Sequence, residues 1–379
     1  LSRRITIVAC KPLHVEKVLP KGPLFPKVTI LLGDPSLPDT VKREGIFSEE
    51  DLSTIKKMRE ALGELSGYEF KVWDNHEQLI ELLINEKPDF IFNLCDEGFH
   101  NDAFKELHVP ALLEMYGVPY SGAGPRCLGL CYDKALVRSL AQSLGISVPL
   151  ESYFSPDDQM ATIPSIFPAL LKPNYGDSSE GITQESVVRN KEDFMSRWEQ
   201  LREEFPTRPL LVQEFLEGQE YSIGVLGNPG LGFTVLPILE VDFSALQTDL
   251  PKILGYESKW HPNSPYWTDI SYREAELDES TQRSLIDSSL LLFERLGCRD
   301  YARFDFRADS KGEIKLLEAN PNPGWCWDGK LNFMAEFSGL SYADLLCNIL
   351  ESAQSRYAIA SVQHPVESKN FTKSLPLTL

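Results

Sequence analysis

The stretch KLLEANPNPG, residues 315–324, ends an apolar run in a carboxylate, Glu318, followed two residues later by an amide, Asn320. Two prolines and Gly324 then stop regular structure. Upstream, ARFDFR carries Arg303 and Asp305, also two apart. Side chains at i and i+2 of a strand share a face. The intervening ADSKGE has turn composition near Asp309–Gly312, which predicts a hairpin that brings Asp305 within a residue or two of Glu318. Two facing carboxylates in a partly buried site repel unless a cation lies between them. Such hard oxygen donors suit Mg²⁺, which takes one or two carboxylates plus substrate phosphates, with Mn²⁺ an acceptable substitute. A surface hairpin with incidental acids would not explain why Glu318 caps an apolar run.

A second stretch, LLKPNYGDSSEGI, ends an apolar strand at Lys172 and continues through Gly176, Ser178, Ser179 and Gly181. A loop this small and flexible lets backbone N–H groups and hydroxyls wrap phosphate oxygens. It is not a Walker A loop, because no Gly-Lys-Ser/Thr follows at the required spacing. A plain β-hairpin loop fits the same letters. Lys134, in CYDKALV, reads on its own as a solvated helix charge.

These residues need elements to position them. RRITIVAC reads as an opening strand, KVTILLGDP as a second, YEFKVWD and DFIFNLC as two more; helices at 48–65 and in HEQLIELLINEKP alternate with them. The alternation predicts a doubly wound parallel sheet. A Gly/Pro break at 122–125 marks a boundary. DKALVRSLAQSLGI is a helix ended by Gly145, 149–166 a connection, and LLVQEFLEGQEYSIGVLGN two strands about Glu217–Gly218. A helix at 279–296 ends at Gly297, and SYADLLCNILESAQSRYA is a last amphipathic helix. The expected organisation is α/β, with an N-terminal doubly wound domain (1–124) and a flexible tail (359–379).

The chain has 379 residues, enough for two or three domains. No run approaches the roughly 18 apolar residues of a bilayer span. A net charge of −19 argues against nucleic acid or an anionic membrane as partner. Seven cysteines are scattered without framework spacing, and the pair Cys127 and Cys131 lacks a second pair to complete a zinc site. Reduced thiols in a cytoplasmic protein are expected.

Taken in order, GVPYSGAG, DKALVRSLAQSLGISVP, LLKPNYGDSSEGI, VQEFLEGQEYSI, ARFDFRADSKGEIKLLEANPNPG and GLSYADLLCNIL resemble the ATP-grasp ligases of the D-alanine–D-alanine ligase family, over about residues 88–352. The resemblance implies two lobes with antiparallel sheets (125–212 and 213–358), in which Lys134 and Lys172 hold ATP phosphates and Ser178 and Ser179 lie in the loop closing over the γ-phosphate. It implies an adenine hinge at Gln213, Glu214, Phe215 and Leu216, with Glu220 on the ribose. Lys259 becomes a further phosphate lysine on a mobile loop. Asp305, Glu318 and Asn320 become ligands of two Mg²⁺ ions, and Arg303 with the Gly324 N–H stabilises a tetrahedral oxyanion. The implied reaction joins an amino acid or related carboxylate to an amine through an acyl phosphate, releasing ADP and phosphate. Small amino-acid-like substrates and a homodimer are the family expectation.

The chain departs from the family pattern around the substrates. The family's N-terminal Gly-Gly-x-Ser-x-Glu is expected in ITIVACKPLHVEKV, where only Glu16 offers a carboxylate. Its His-Gly stretch becomes FNLCDEGFHNDAF, placing Asp96, Glu97 and His100 at the cleft mouth, as loop caps or as contacts to an ammonium or hydroxyl group. GWCWDGK puts Trp325, Trp327 and Lys330 where small residues usually stand, and Trp260 replaces a tyrosine. Asn322 completes the substrate-side candidates, with Lys330 a carboxylate anchor. These departures favour an acceptor other than D-alanine. The alternatives are a genuine D-alanine–D-alanine ligase, an ATP-grasp enzyme acting through carboxyphosphate or direct phosphoryl transfer, and a non-catalytic nucleotide-binding protein.

Overall fold

The computed structural model of the chain describes residues 22–39, 41–158, 162–176 and 179–363. The strand expected at residues 3–10 lies outside them. The first described strand is β1 (Lys27–Leu31), followed by α1 (Glu49–Gly63), β2 (Glu69–Trp73), α2 (Leu79–Glu86), β3 (Ile91–Asn93) and α3 (His108–Met115). The three strands form a parallel sheet in the order β2-β1-β3. α1 starts where it does because Ser48 and Asp51 form a reciprocal capping box, with acidic residues filling its first turn.

Next come α4 (Pro125–Cys131), α5 (Lys134–Ser143), β4 (Glu151–Phe154), β5 (Ala169–Pro173), β6 (Val187–Val188), α6 (Lys191–Glu204) and β7 (Leu210–Glu214). The strands form an antiparallel sheet ordered β4-β7-β5-β6. The segment 149–166 is thus more than a connection: its residues 151–154 form an edge strand, too short and too polar on its exposed side to announce itself. β7 runs to Glu214, so the division expected at 212 falls inside a strand.

The third group is β8 (Glu220–Asn228), β9 (Gly232–Val235), β10 (Leu239–Asp242), α7 (Glu257–Trp260), α8 (Pro265–Thr268), β11 (Ser271–Glu274), α9 (Glu279–Leu296), β12 (Asp300–Ala308), β13 (Ile314–Asn320), α10 (Lys330–Phe337) and α11 (Tyr342–Gln363). The sheet order is β11-β10-β8-β12-β13, with β9 also on β8. α9 begins on an Asp278 cap and ends on Gly297 in the left-handed region, at the expected residues. α11 runs past the expected tail boundary at 358.

One apolar cluster joins the parallel sheet (Val28, Ile30, Phe92) to α10 and α11 (Met334, Leu345, Ile349). A second packs α4, α5 and α9 on β8 and β12 and includes Cys127, Cys131 and Cys298. Cys127 Sγ lies 4.0 Å from Cys131 Sγ and 3.8 Å from Cys298 Sγ, and none of the described cysteines is paired in a disulfide. Buried Asp300 accepts two hydrogen bonds from Arg356, which also donates to the Tyr120 carbonyl, tying the N-terminal sheet to α11. Among the described residues no helix is long and apolar enough to cross a membrane.

Candidate functional site

β12 lies inside the largest sheet, between β8 and the edge strand β13 and antiparallel to both. Its register with β13 sets Arg303 opposite Asn320 and Asp305 opposite Glu318. The alignment shifts directly after Asp305, so Phe306 faces Leu316 and Leu317 is the extra residue of a bulge. Burial alone would push the Asp305 carboxyl up; the Arg303 guanidinium, the Lys330 ammonium and the Ser222 hydroxyl outweigh it and hold the group well below the usual carboxylate range. Arg303 donates to the two Asp305 oxygens at 3.0 and 2.9 Å, and Ser222 Oγ donates at 2.6 Å. Asn320 Nδ2 reaches Asp305 at 3.2 Å and Glu318 at 3.4 Å. The donor set is two carboxylates and an amide oxygen, which fits a hard divalent ion that completes its shell with phosphate and water. Among the described residues no cluster of three His, Cys, Asp or Glu side chains could hold a metal by itself.

The facing wall comes from the four-stranded sheet. Lys172 on β5 is buried and donates to Gln213 Oε1 on β7 at 3.1 Å; Gln213 Nε2 in turn donates to Glu151 on β4 at 2.8 Å. Burial lowers the Lys172 ammonium pKa, the Lys134 charge adds to this, and Glu151 opposes it. Lys134, at the start of α5, donates to the Gly176 carbonyl at 2.5 Å. Ser179 Oγ donates to the Leu254 carbonyl at 2.9 Å, tying the glycine loop to the segment before α7. Ser178 lies outside the described residues. Lys134, Lys172, Ser179, Gln213, Glu214, Leu216, Glu220, Lys259, Arg303, Asp305, Glu318 and Lys330 line one cavity of about 300 Å³ between the two sheets. At its rim Glu214 accepts from Lys315 at 3.0 Å, and inside it Glu220 accepts from Arg307 at 3.4 Å.

A third set lies at the carboxyl ends of β1 and β3, where a parallel sheet of this order opens a crevice. Asp96 and Glu97 follow β3; an added Cβ on Gly324 would lie 4.0 Å from Asp96 Oδ2. Burial and the Glu97 charge push the Asp96 carboxyl well above its usual range. Glu97 pairs with Lys42 at 3.2 Å, and its side chain also meets the Asp96 carboxyl. His100 donates its backbone N–H to His76 Nδ1 at 2.8 Å and stacks on Phe99, a structural contact. The loop turns at Gly98, φ +81°, where a Cβ would lie 2.2 Å from the Asp102 carbonyl oxygen. Gly98→Ala is therefore expected to lower stability by about 2 kcal/mol; an unchanged melting temperature would show that the loop yields instead.

Several substrate-side candidates are placed elsewhere than expected. Glu16 lies outside the described residues. Asn322 is committed to the scaffold: its Oδ1 accepts from the Ala123 N–H at 2.8 Å and its amide donates to Glu106 at 3.3 Å. Trp325 is core, its indole donating to the Leu94 carbonyl at 2.7 Å. Trp327 is 37% exposed, with the Lys57 ammonium 3.0 Å from its ring centroid. Trp260 tilts against Tyr256, and its Nε1 is buried with no hydrogen-bond partner among the described residues. Lys330 turns to the cavity holding Asp305 and Glu220. Glu151, Ser222 and Lys42 were not anticipated. Glu151 sits on the overlooked β4, Ser222 points inward from β8 with no motif of its own, and only the sheet brings Lys42 to Glu97.

A parallel sheet followed by two antiparallel sheets, with Lys134 and the buried Lys172 facing a carboxylate hairpin, defines the ATP-grasp class of ligases. The chain belongs to the D-alanine–D-alanine ligase family within it: the family model for the D-ala D-ala ligase C-terminus matches residues 155–351. An uncharacterised protein of Sinorhizobium fredii, y4sG, is 30% identical over 270 residues, covering 70% of this chain and 75% of its own. The D-alanine–D-alanine ligase of Aquifex aeolicus is 29% identical over 311 residues, 81% of this chain and 97% of its own. In fold, the chain is similar to the D-alanine–D-alanine ligase of Bacillus anthracis complexed with ATP, with a TM-score of 0.64 at 20% identity, over 88% of this chain and 99% of that one. The chain is thus an ATP-dependent carboxylate–amine ligase of the D-alanine–D-alanine ligase type.

Proposed function

We propose that the chain joins two amino acids, D-alanine in both positions, through an acyl phosphate, releasing ADP and phosphate. The observation that carries the reaction is the in-register pair Asp305 and Glu318 facing Lys134 and Lys172 across one cavity. The residues around the acceptor argued for a different amine, but the near full-length likeness to a D-alanine–D-alanine ligase weighs more. With Asn322 and Trp325 committed to the scaffold, less of the local sequence speaks for an unusual acceptor.

In this reading ATP lies between the sheets. Lys134, Lys172 and Lys259 hold its phosphates, and Ser178 and Ser179 lie in the loop over its γ-phosphate. The backbone from Gln213 through Leu216 receives adenine, and Glu220 takes the ribose hydroxyls. Asp305, Glu318 and Asn320 would hold magnesium, which neutralises charge developing on the transferred phosphoryl group. Arg303 and the Gly324 N–H face the oxyanion formed when the amine attacks the acyl carbon. Asp96, beside Gly324, and its neighbour Glu97 would take the ammonium group of the donor amino acid. Closure of the loop over the γ-phosphate would keep water from the acyl phosphate. The natural division between the two ATP-grasp lobes follows β7, near residue 215.

The test is ADP release over pairwise combinations of amino acids, with mass spectrometry of the product. D-alanine alone should support turnover and yield the dipeptide. Turnover only with another acceptor would return the reading to a ligase of different specificity. Release stimulated by bicarbonate alone would point to carboxyphosphate chemistry.

A further inference from the structure

Lys330 opens α10, a position where the helix dipole disfavours a cation. Acids must offset that cost, and they do. Its ammonium lies 3.4 Å from Glu220 Oε1 and 3.9 Å from Asp305 Oδ1 and donates to Ser222 Oγ at 3.2 Å, with the side chain only 13% exposed. Arg307 meets the other Glu220 oxygen, and Arg303 meets both Asp305 oxygens. Among the described residues, Glu318 by contrast has a single hydrogen bond, accepted from Asn320 Nδ2 at 3.4 Å. The acidic corner is therefore unequally supplied. The Glu220–Asp305 side already carries a fixed positive charge, while the Asp305–Glu318 side has room for one.

We propose that the Lys330 ammonium stands in for one of the two divalent ions expected at this hairpin, so that the nucleotide brings a single ion per chain, held on the Glu318 side. This rests on the ATP reading given above. A lysine can take this place because it supplies a point charge and three donors to phosphate oxygens without needing a coordination shell. It needs no carboxylate of its own beyond the two it already touches. Lys330 then positions the phosphate tail from the side opposite Lys134 and Lys172.

The experiment counts ions. The full chain is titrated with Mn²⁺ in the presence of a non-hydrolysable ATP analogue, and free Mn²⁺ is read by electron paramagnetic resonance. The wild type should bind one Mn²⁺ per chain, Lys330→Arg should also bind one, and Lys330→Met should take up a second. Turnover of Lys330→Met should fall about 100-fold, the usual effect of losing one preorganised charge donor. Two ions in the wild type would overturn the assignment of Lys330 while leaving the nucleotide site intact. No nucleotide-dependent Mn²⁺ binding would overturn both. If Lys330→Met does not fold, as a melting curve would reveal, the counts for the wild type and Lys330→Arg still decide.

Discussion

Replacing Glu318 with alanine should leave a folded protein that no longer turns over. Glu318 is only half-buried and accepts one long hydrogen bond, at 3.4 Å from Asn320. It stands opposite Asp305 in register, so its removal also relieves a like-charge contact. Stability should therefore change by less than about 1 kcal/mol. Activity should not survive, because Glu318 is the carboxylate of the hairpin least engaged by protein cations, and the ion it would hold meets the charge of the transferring phosphoryl group. A loss of at least about 10³-fold in ADP release is expected, the upper range for removing one preorganised electrostatic partner. The measurements are a thermal melt and a coupled assay for ADP. Near-normal turnover in a well-folded Glu318→Ala would remove the metal-holding role from the hairpin.

Arg303→Leu should have the opposite profile: a large loss of stability together with the loss of activity. Asp305 is 3% exposed and leans on the Arg303 guanidinium through bonds of 3.0 and 2.9 Å. Deleting one partner of such a pair costs about 3–5 kcal/mol, because a buried charge is left behind. Lys330, 3.9 Å away, softens this toward the lower figure. The deficit should depend on pH. In the wild type the folded Asp305 pKa is depressed, so its stabilisation is present above the unfolded value of about 3.9 and is lost as pH falls through the lower folded value. Without Arg303, burial favours the protonated form, so the gap between variant and wild type is widest near neutrality and narrows toward pH 4. Urea unfolding at the two pH values reads it directly. A gap of equal size at both would show that another group carries the loss.

How much of this was legible depended on whether the deciding interaction was local. The hairpin was, because alternation and a polar turn both lie within 21 residues of chain, 300–320. Its face-sharing residues and pairing came out within a residue, but the bulge did not, since it depends on the fit of two strands to each other. α9 announced both its ends through Asp278 and Gly297. β4 did not, with two of its four side chains in solvent, and the buried Glu151 on it was lost with it. At the N-terminus two apolar runs, ITIVAC and VTILLG, both read as strands, and the first lies outside the described residues. The second forms the central strand of the parallel sheet, and the loop after it, with Asp34 buried against Asn101 and His76, lies beside Asp96 and Glu97. Glu16, shortly after the first run, lies outside the described residues, whereas Lys42, which carries no motif of its own, pairs with Glu97. The fate of Asn322 was equally hidden, because its partners Ala123 and Glu106 are about 200 residues away in the chain.

The unpaired Leu317 has a consequence for how the ribbon divides its labour. On a regular strand, neighbours point to opposite sides, and a hydrocarbon wall and an anionic grip would have to come from alternate positions or separate strands. The extra residue breaks that alternation, so Leu317 and Glu318, adjacent in sequence, both border the same hollow. A flat heterocycle can rest on the first while the charged end of the same molecule is drawn to the second. Deleting one residue there would realign the ribbon and force a choice between greasy floor and acid.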